Sequence, residues 1–183
     1  MTKKDAYLVI DARDYECCKD QLTNVKCVLY NGFNDLKKLV KDLRIRTLLF
    51  ENDYISYSDF NCVLKKLGPK LIPVDTCILR ASKTQEEITS IRKSMNIAAD
   101  AMNYIRKTIK VGMTEKQVKQ MLTVYMLNKG ATATSFDLIV AFGENTANPH
   151  HQSANRKLKN NEFITCDIGC IYEGYCSDIT RTF

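Results

Sequence analysis

The 183-residue chain is 45% hydrophobic and 26% charged, an ordinary balance for one domain or two small ones with enough apolar mass to bury a core. Lys and Arg number 27 against 21 Asp and Glu, a net charge of +6, but the basic residues are scattered in short runs such as Lys37-Lys38 and Lys65-Lys66, without interleaved aromatics, which argues for a solvated surface and against nucleic-acid binding. No run reaches 18 apolar residues and Met1-Thr2-Lys3-Lys4 is no apolar leader, so a cytoplasmic protein with reduced thiols and no membrane association is expected.

Over the first 75 residues, short apolar runs at 6–10, 26–30, 47–50 and 71–74 predict strands. Helical patterns at about 15–22, 35–43 and 58–67 fall between them, the last closed by Gly68-Pro69. This alternation predicts a small α/β layer domain over 1–78, with a second domain over 79–183. A linker is expected at 75–83. Thr84 with Glu87 then forms a capping box for a helix whose Ile88, Ile91, Met95, Ala98, Met102, Ile105 and Ile109 recur at spacings of three and four, predicting a core-facing stripe. Val111-Gly112-Met113 ends it. Thr114 with Gln117 caps the next helix, whose Val118, Met121, Leu122, Tyr125 and Met126 are expected to face inward before Asn128-Lys129-Gly130 stops it. A strand at 136–142 leads into the tight connection Gly143-Glu144-Asn145.

The last stretch, FITCDIGCIYEGYCSDITRTF, predicts a hairpin around a two-residue turn at Glu173-Gly174. That turn sets Tyr172 opposite Tyr175, Gly169 opposite Asp178 and Asp167 opposite Thr180. With side chains alternating, Asp167 and Asp178 share a face as diagonal neighbours, Cβ atoms about 7 Å apart or somewhat less. Such a pair could close on two cations about 3.5–4 Å apart. Two aspartates flanking a turn are often merely solvated. Here Asp167 sits among Phe163, Ile164, Cys166, Ile168 and Ile171, and a buried carboxylate needs a cation or several donors.

Other chemistries find little support. The eight cysteines include no C-x-x-C pair, and in the hairpin register Cys166 and Cys170 face away from Asp167 and Asp178, so neither a disulfide framework nor a thiolate zinc site is expected. The two histidines, His150 and His151, are adjacent, and no G-x-S-x-G elbow or phosphate-cradling loop occurs.

The stretch SFDLIVAFGENTANPHHQ, followed by RKLKNNEFITCDIGCIYEGYCSDITRTF, resembles the first half of the pita-bread metallopeptidase domain of Xaa-Pro aminopeptidases, prolidases and methionine aminopeptidases. The α/β layer resembles the creatinase-like amino-terminal domain of Xaa-Pro peptidases, with its first elements missing, and the helix pair resembles the pair on the outer face of the pita-bread sheet. K-V-G-M-T-E at Lys110 to Glu115 is similar to the family's P-G-M-T-E, with Val111 in place of proline. The fold class implied is an α/β amino-terminal domain followed by an α+β first half of a pita-bread domain.

The resemblance implies that Asp167, in D-x-G, and Asp178, in S-D-x-T-R-T, are the first two ligands of a dinuclear centre of Mn²⁺, Co²⁺ or Zn²⁺. It also implies that His150, in the P-H motif, contacts a proline-containing peptide near the scissile bond. His151 has no counterpart in the motif. The family completes its centre with one histidine and two glutamates beyond the S-D-x-T-R-T strand. The 183 residues by themselves are therefore expected neither to hold a dinuclear centre tightly nor to hydrolyse peptides. The chain has no Trp, where roughly two would be usual. A genetic code reading UGA as Trp would interrupt a conceptual translation, and in-frame sequence carrying the three further ligands is the expected finding.

The activity implied is metal-dependent Xaa-Pro aminopeptidase action. Prolidase, a metal-independent creatinase-like hydrolase, a non-catalytic pita-bread binding module and an inactive fragment remain as alternatives. Retained Asp167 and Asp178 argue against the metal-independent one. A homodimer is left open.

Overall fold

In the amino-terminal unit of the computed structural model, which describes residues 5–183, strands and helices alternate. The chain forms two units, Met1–Ala81 and Ser82–Phe183. In the first, β1 (Ala6–Ile10) and β2 (Val25–Leu29) pair in parallel across the crossover helix α1 (Ala12–Lys19). α1 starts three residues before the apolar pattern suggested, because the Asp11 carboxylate accepts the Arg13 N–H and caps the helix there. After α2 (Phe33–Asp42), β3 (Thr47–Glu51) and β4 (Lys70–Val74) form a second parallel pair. Their crossover runs through α3 (Tyr57–Asp59), a π-helical stretch (Phe60–Leu64) and α4 (Lys65–Leu67), and stops at Gly68, whose φ of 100° suits glycine. The stretch expected as a linker contains α5 (Cys77–Ala81), opened by the Asp75 carboxylate accepting the Cys77 N–H. Its Ile78 and Leu79 are exposed, so no buried stripe marked it in the sequence. Among the described residues of this unit, only Val40 and Leu67 are buried.

The second unit opens with α6 (Gln85–Thr108), whose capping box closes in both directions: Glu87 N–H donates to Thr84 and Thr84 N–H donates to the Glu87 carboxylate. Its buried face is Ser90, Ser94, Ile97, Ala98, Ala101, Met102 and Ile105, rotated from the predicted stripe, and Met95 is 55% exposed. The reason is polar. Ser94 donates to the Cys170 carbonyl at 2.8 Å and Ser90 to the Glu173 carboxylate at 2.7 Å, so hydroxyls fill core-facing positions that an apolar pattern passes over. α7 (Glu115–Asn128) packs beside α6, with Val118, Leu122 and Met126 buried.

Two antiparallel sheets face these helices. One is β10 (Ile179–Thr182), β7 (Ile164–Ile168) and β6 (Ile139–Phe142), in that order. The other is β5 (Ala133–Thr134), β8 (Cys170–Tyr172) and β9 (Tyr175–Cys176). Glu173 and Gly174 both take positive φ, 49° and 81°, which makes the hairpin's two-residue turn. Tyr172 pairs with Tyr175 and Asp167 with Thr180, as the turn predicted. The ribbon divides between two sheets where Gly169 lies against Ser177: a Cβ at Gly169 would stand 2.0 Å from the Ser177 carbonyl oxygen. The core gathers Ile97, Met102, Ile105, Val118, Leu122, Phe142, Cys166 and Ile168 between helices and sheet.

Candidate metal centre and the loop beside it

β7 sends Ile164, Cys166 and Ile168 into the core, which leaves Thr165 and Asp167 on the opposite face. Across the pair, Thr182 and Thr180 are exposed on that face. The Thr165 and Thr182 hydroxyls lie 2.9 Å apart, and the Thr180 hydroxyl donates to Asp167 Oδ1 at 2.5 Å. Asp178 is exposed just ahead of β10, and the registers on both sides of it, Ile179 with Ile168 and Cys176 with Ile171, are one and the same. This continues the rungs of the ladder to Asp178 opposite Gly169. Asp167 is half-buried and its second oxygen is not taken by Thr180.

The donors on this face are carboxylate oxygens, which suit hard or borderline divalent ions. Cys166 and Cys170 are buried on the other side, and burial pushes the Cys166 thiol up to about 12, away from the thiolate a soft metal needs. Among the described residues, no third His, Cys, Asp or Glu joins Asp167 and Asp178 in a ligand cluster. Among the described residues, the cluster of three that does form is Asp53, Asp75 and Cys77, exposed in the amino-terminal unit.

β6 is followed by a 3-10 turn (Gly143–Ala147) and the loop carrying both histidines. His150 is exposed, its N–H bound to Asn148 Oδ1 at 3.0 Å. His151 turns the other way, with Nε2 2.8 Å from Glu115 Oε2. Glu115, the first residue of α7, is fully buried. Its Oε1 accepts from Phe142 N–H at 2.9 Å and Asn145 Nδ2 at 2.8 Å, and its Oε2 accepts from Ala154 N–H at 2.8 Å as well as from His151. Burial pushes this carboxyl's pKa up, but hydrogen bonds from Asn145, His151, Ala154 and Phe142 outweigh it, and the net shift is downward. The position at a helix N-terminus favours the same ionised state. Farther along, Arg156 grips Glu162 through two bonds of 2.8 and 2.6 Å, which with the Lys159 N–H holds the Glu162 carboxyl at about 2.

Glu115 is the residue that sequence reasoning passed over. It stood in the K-V-G-M-T-E phrase, but its partners lie 27 to 39 positions away and no local pattern connects them.

Comparison with known proteins places this architecture. The profile described as Metallopeptidase family M24 matches residues 89–183. A curated relative from Mycoplasma pneumoniae is 37% identical over 182 residues, 99% of this chain and 51% of its own length. The solved Xaa-Pro dipeptidase from Bacillus anthracis superposes with a TM-score of 0.92 at 35% identity, covering 100% of this chain and 53% of that one. The X-Pro aminopeptidase from Thermotoga maritima gives 0.89 at 31%, with 100% and 53% coverage. The chain thus spans about half the length of the curated relatives it matches. It belongs to metallopeptidase family M24, with the fold of part of a pita-bread domain.

Proposed function

We propose that these residues carry the cation-binding aspartates and the substrate-facing histidine of an Xaa-Pro aminopeptidase, which removes an amino-terminal residue that precedes proline. The carrying observation is the pair of carboxylates along one face of the terminal ribbon in an M24 chain, Asp167 steadied by Thr180 and Asp178 exposed two rungs on. Asp167 and Asp178 would hold the divalent ions, Mn²⁺, Co²⁺ or Zn²⁺. Such ions supply Lewis-acid polarisation of the peptide carbonyl and activation of water. The Thr180 hydroxyl fixes the Asp167 carboxylate in one orientation, so that little side-chain ordering remains when it ligates. His150 would donate a hydrogen bond to the substrate where charge develops. In this reading the enzyme is cytoplasmic, and residues 1–78, as a creatinase-like domain, favour removal of a residue amino-terminal to proline. The 183 residues supply two of the centre's five ligands and by themselves bind cations weakly and turn over no peptide.

A prolidase is the second reading, favoured by the Bacillus anthracis neighbour, an Xaa-Pro dipeptidase. Mass spectrometry of Ala-Pro-Ala and Ala-Pro, incubated with Mn²⁺ and protein expressed from its complete coding sequence, separates the two. Release of Ala from the tripeptide with the dipeptide left intact is the expected result. Cleavage of the dipeptide alone would make the enzyme a prolidase, and hydrolysis of neither would end the peptidase reading.

A further inference from the structure

We propose that His151 is a positioning residue: by donating Nε2–H to the buried Glu115 carboxylate, it sets the direction in which the adjacent His150 ring leaves the loop. The inference rests on the reading of His150 as the substrate-facing imidazole. Three of the four donors on Glu115 already fasten the ends of the loop, namely Phe142 and Asn145 before the histidines and Ala154 after them. Ser153 adds an anchor, its hydroxyl accepting the Val140 N–H at 2.9 Å. Ahead of His150, Asn148 accepts the His150 N–H on its side chain and the His151 N–H on its carbonyl. Between Asn148 and Ser153, His151 is the side chain among the described residues that reaches the core, 14% exposed while His150 is exposed to solvent.

The geometry at His151 is restrictive. Glu115, ionised, accepts only, so Nε2 must carry the hydrogen, which fixes both tautomer and ring plane. A fixed His151 side chain fixes the backbone it hangs from, and that backbone closes the turn in which the exposed His150 is the preceding residue, His151 N–H donating to the Asn148 carbonyl at 3.1 Å. His150 is therefore held facing outward by a bond its neighbour makes inward.

The test uses the isotope-labelled 183-residue chain as wild type, His151→Ala and His151→Gln, since a Gln amide can donate from nearly the same place. Long-range ¹H–¹⁵N spectra should show His151 as the Nε2–H tautomer. In His151→Ala, the backbone order parameter at His150 should fall from about 0.85 to below about 0.6, and the ring it carries should lose order with it. Amide exchange at Phe142 and Ala154 should change by no more than about threefold, because those bonds to Glu115 remain. Gln should restore the His150 order. In protein from the complete coding sequence, Ala should lower kcat about tenfold or more with KM nearly unchanged, and Gln should recover it. An unchanged His150 ring in His151→Ala would overturn the proposal. So would a disordered His150 in a folded His151→Gln, which decides the matter if the Ala variant does not fold. If His150 responds as expected while the wild type cleaves no Xaa-Pro peptide, the positioning role stands and the peptidase reading falls.

Discussion

Replacing Glu115 by Ala is expected to cost about 3–5 kcal/mol, because it strips the shared acceptor from buried donors that nothing else can satisfy. Phe142 and Ala154 N–H groups, Asn145 Nδ2 and His151 Nε2 all point at this one carboxylate. Against a usual domain stability of about 5–15 kcal/mol, that is a large fraction. Glu115→Gln should cost less, about 2 kcal/mol, since one amide oxygen still serves two donors while the NH₂ meets the other two. The pH dependence has a definite sign. The folded carboxyl sits below the ordinary value of 4.5, so its contribution is full above that value and is lost as pH falls through the lower folded value. Urea midpoints for wild type and Glu115→Gln should therefore be well separated at pH 7 and draw together only as pH falls below 4.5 through the lower folded value. A separation that persists at low pH would show that ionised Glu115 is not what holds the loop.

Gly169→Ala should be nearly as damaging, by about 3 kcal/mol, at the upper end of ordinary overpacking. The added methyl would meet the Ser177 carbonyl oxygen at 2.0 Å and the Ser135 hydroxyl at 2.3 Å. The first is backbone and cannot swing aside. Ser135 also ties the two strands, donating its hydroxyl to the Ser177 carbonyl at 2.7 Å and its N–H to the Gly169 carbonyl at 3.1 Å. Forcing Gly169 away from Ser177 strains these bonds together with Cys170 N–H to the Ser177 hydroxyl. Amide exchange at Cys170 and Ser177 should accelerate along with the loss of stability, and Asp178, next to Ser177, should shift. A variant within about 1 kcal/mol of wild type would show that the close approach is relaxed at little cost. The glycine of the D-x-G phrase is thus explained by packing against the second strand.

Much of this was legible along the chain where the physics is local. The capping boxes at Thr84 and Thr114, and the stops at Gly68 and Gly130, depend on neighbours a few residues away. The hairpin register followed from Glu173-Gly174, since a two-residue turn leaves one pairing. What was hidden depends on distant groups. Ser90 and Ser94 took core positions because Glu173 and the Cys170 carbonyl offered acceptors about eighty residues on, and Met95 was displaced to the surface. The division of the ribbon into two sheets arises from Gly169 touching Ser177, and α5 has no buried side for a pattern to reveal. At the site, Asp167 and Asp178 were named from spacing and resemblance, whereas Glu115 and the anchoring of His151 emerged only when the loop folded back onto α7.

Mn²⁺ titration of the isotope-labelled 183-residue chain, read as paramagnetic broadening of backbone amides, tests most directly whether the two aspartates serve one cation site. At millimolar metal, signals of Asp167, Asp178 and Thr180 should broaden together, and Asp178→Asn should remove the effect at Asp167 as well as at position 178. Broadening confined to Asp53, Asp75 and Cys77, or an Asp167 response untouched by Asp178→Asn, would contradict a shared centre.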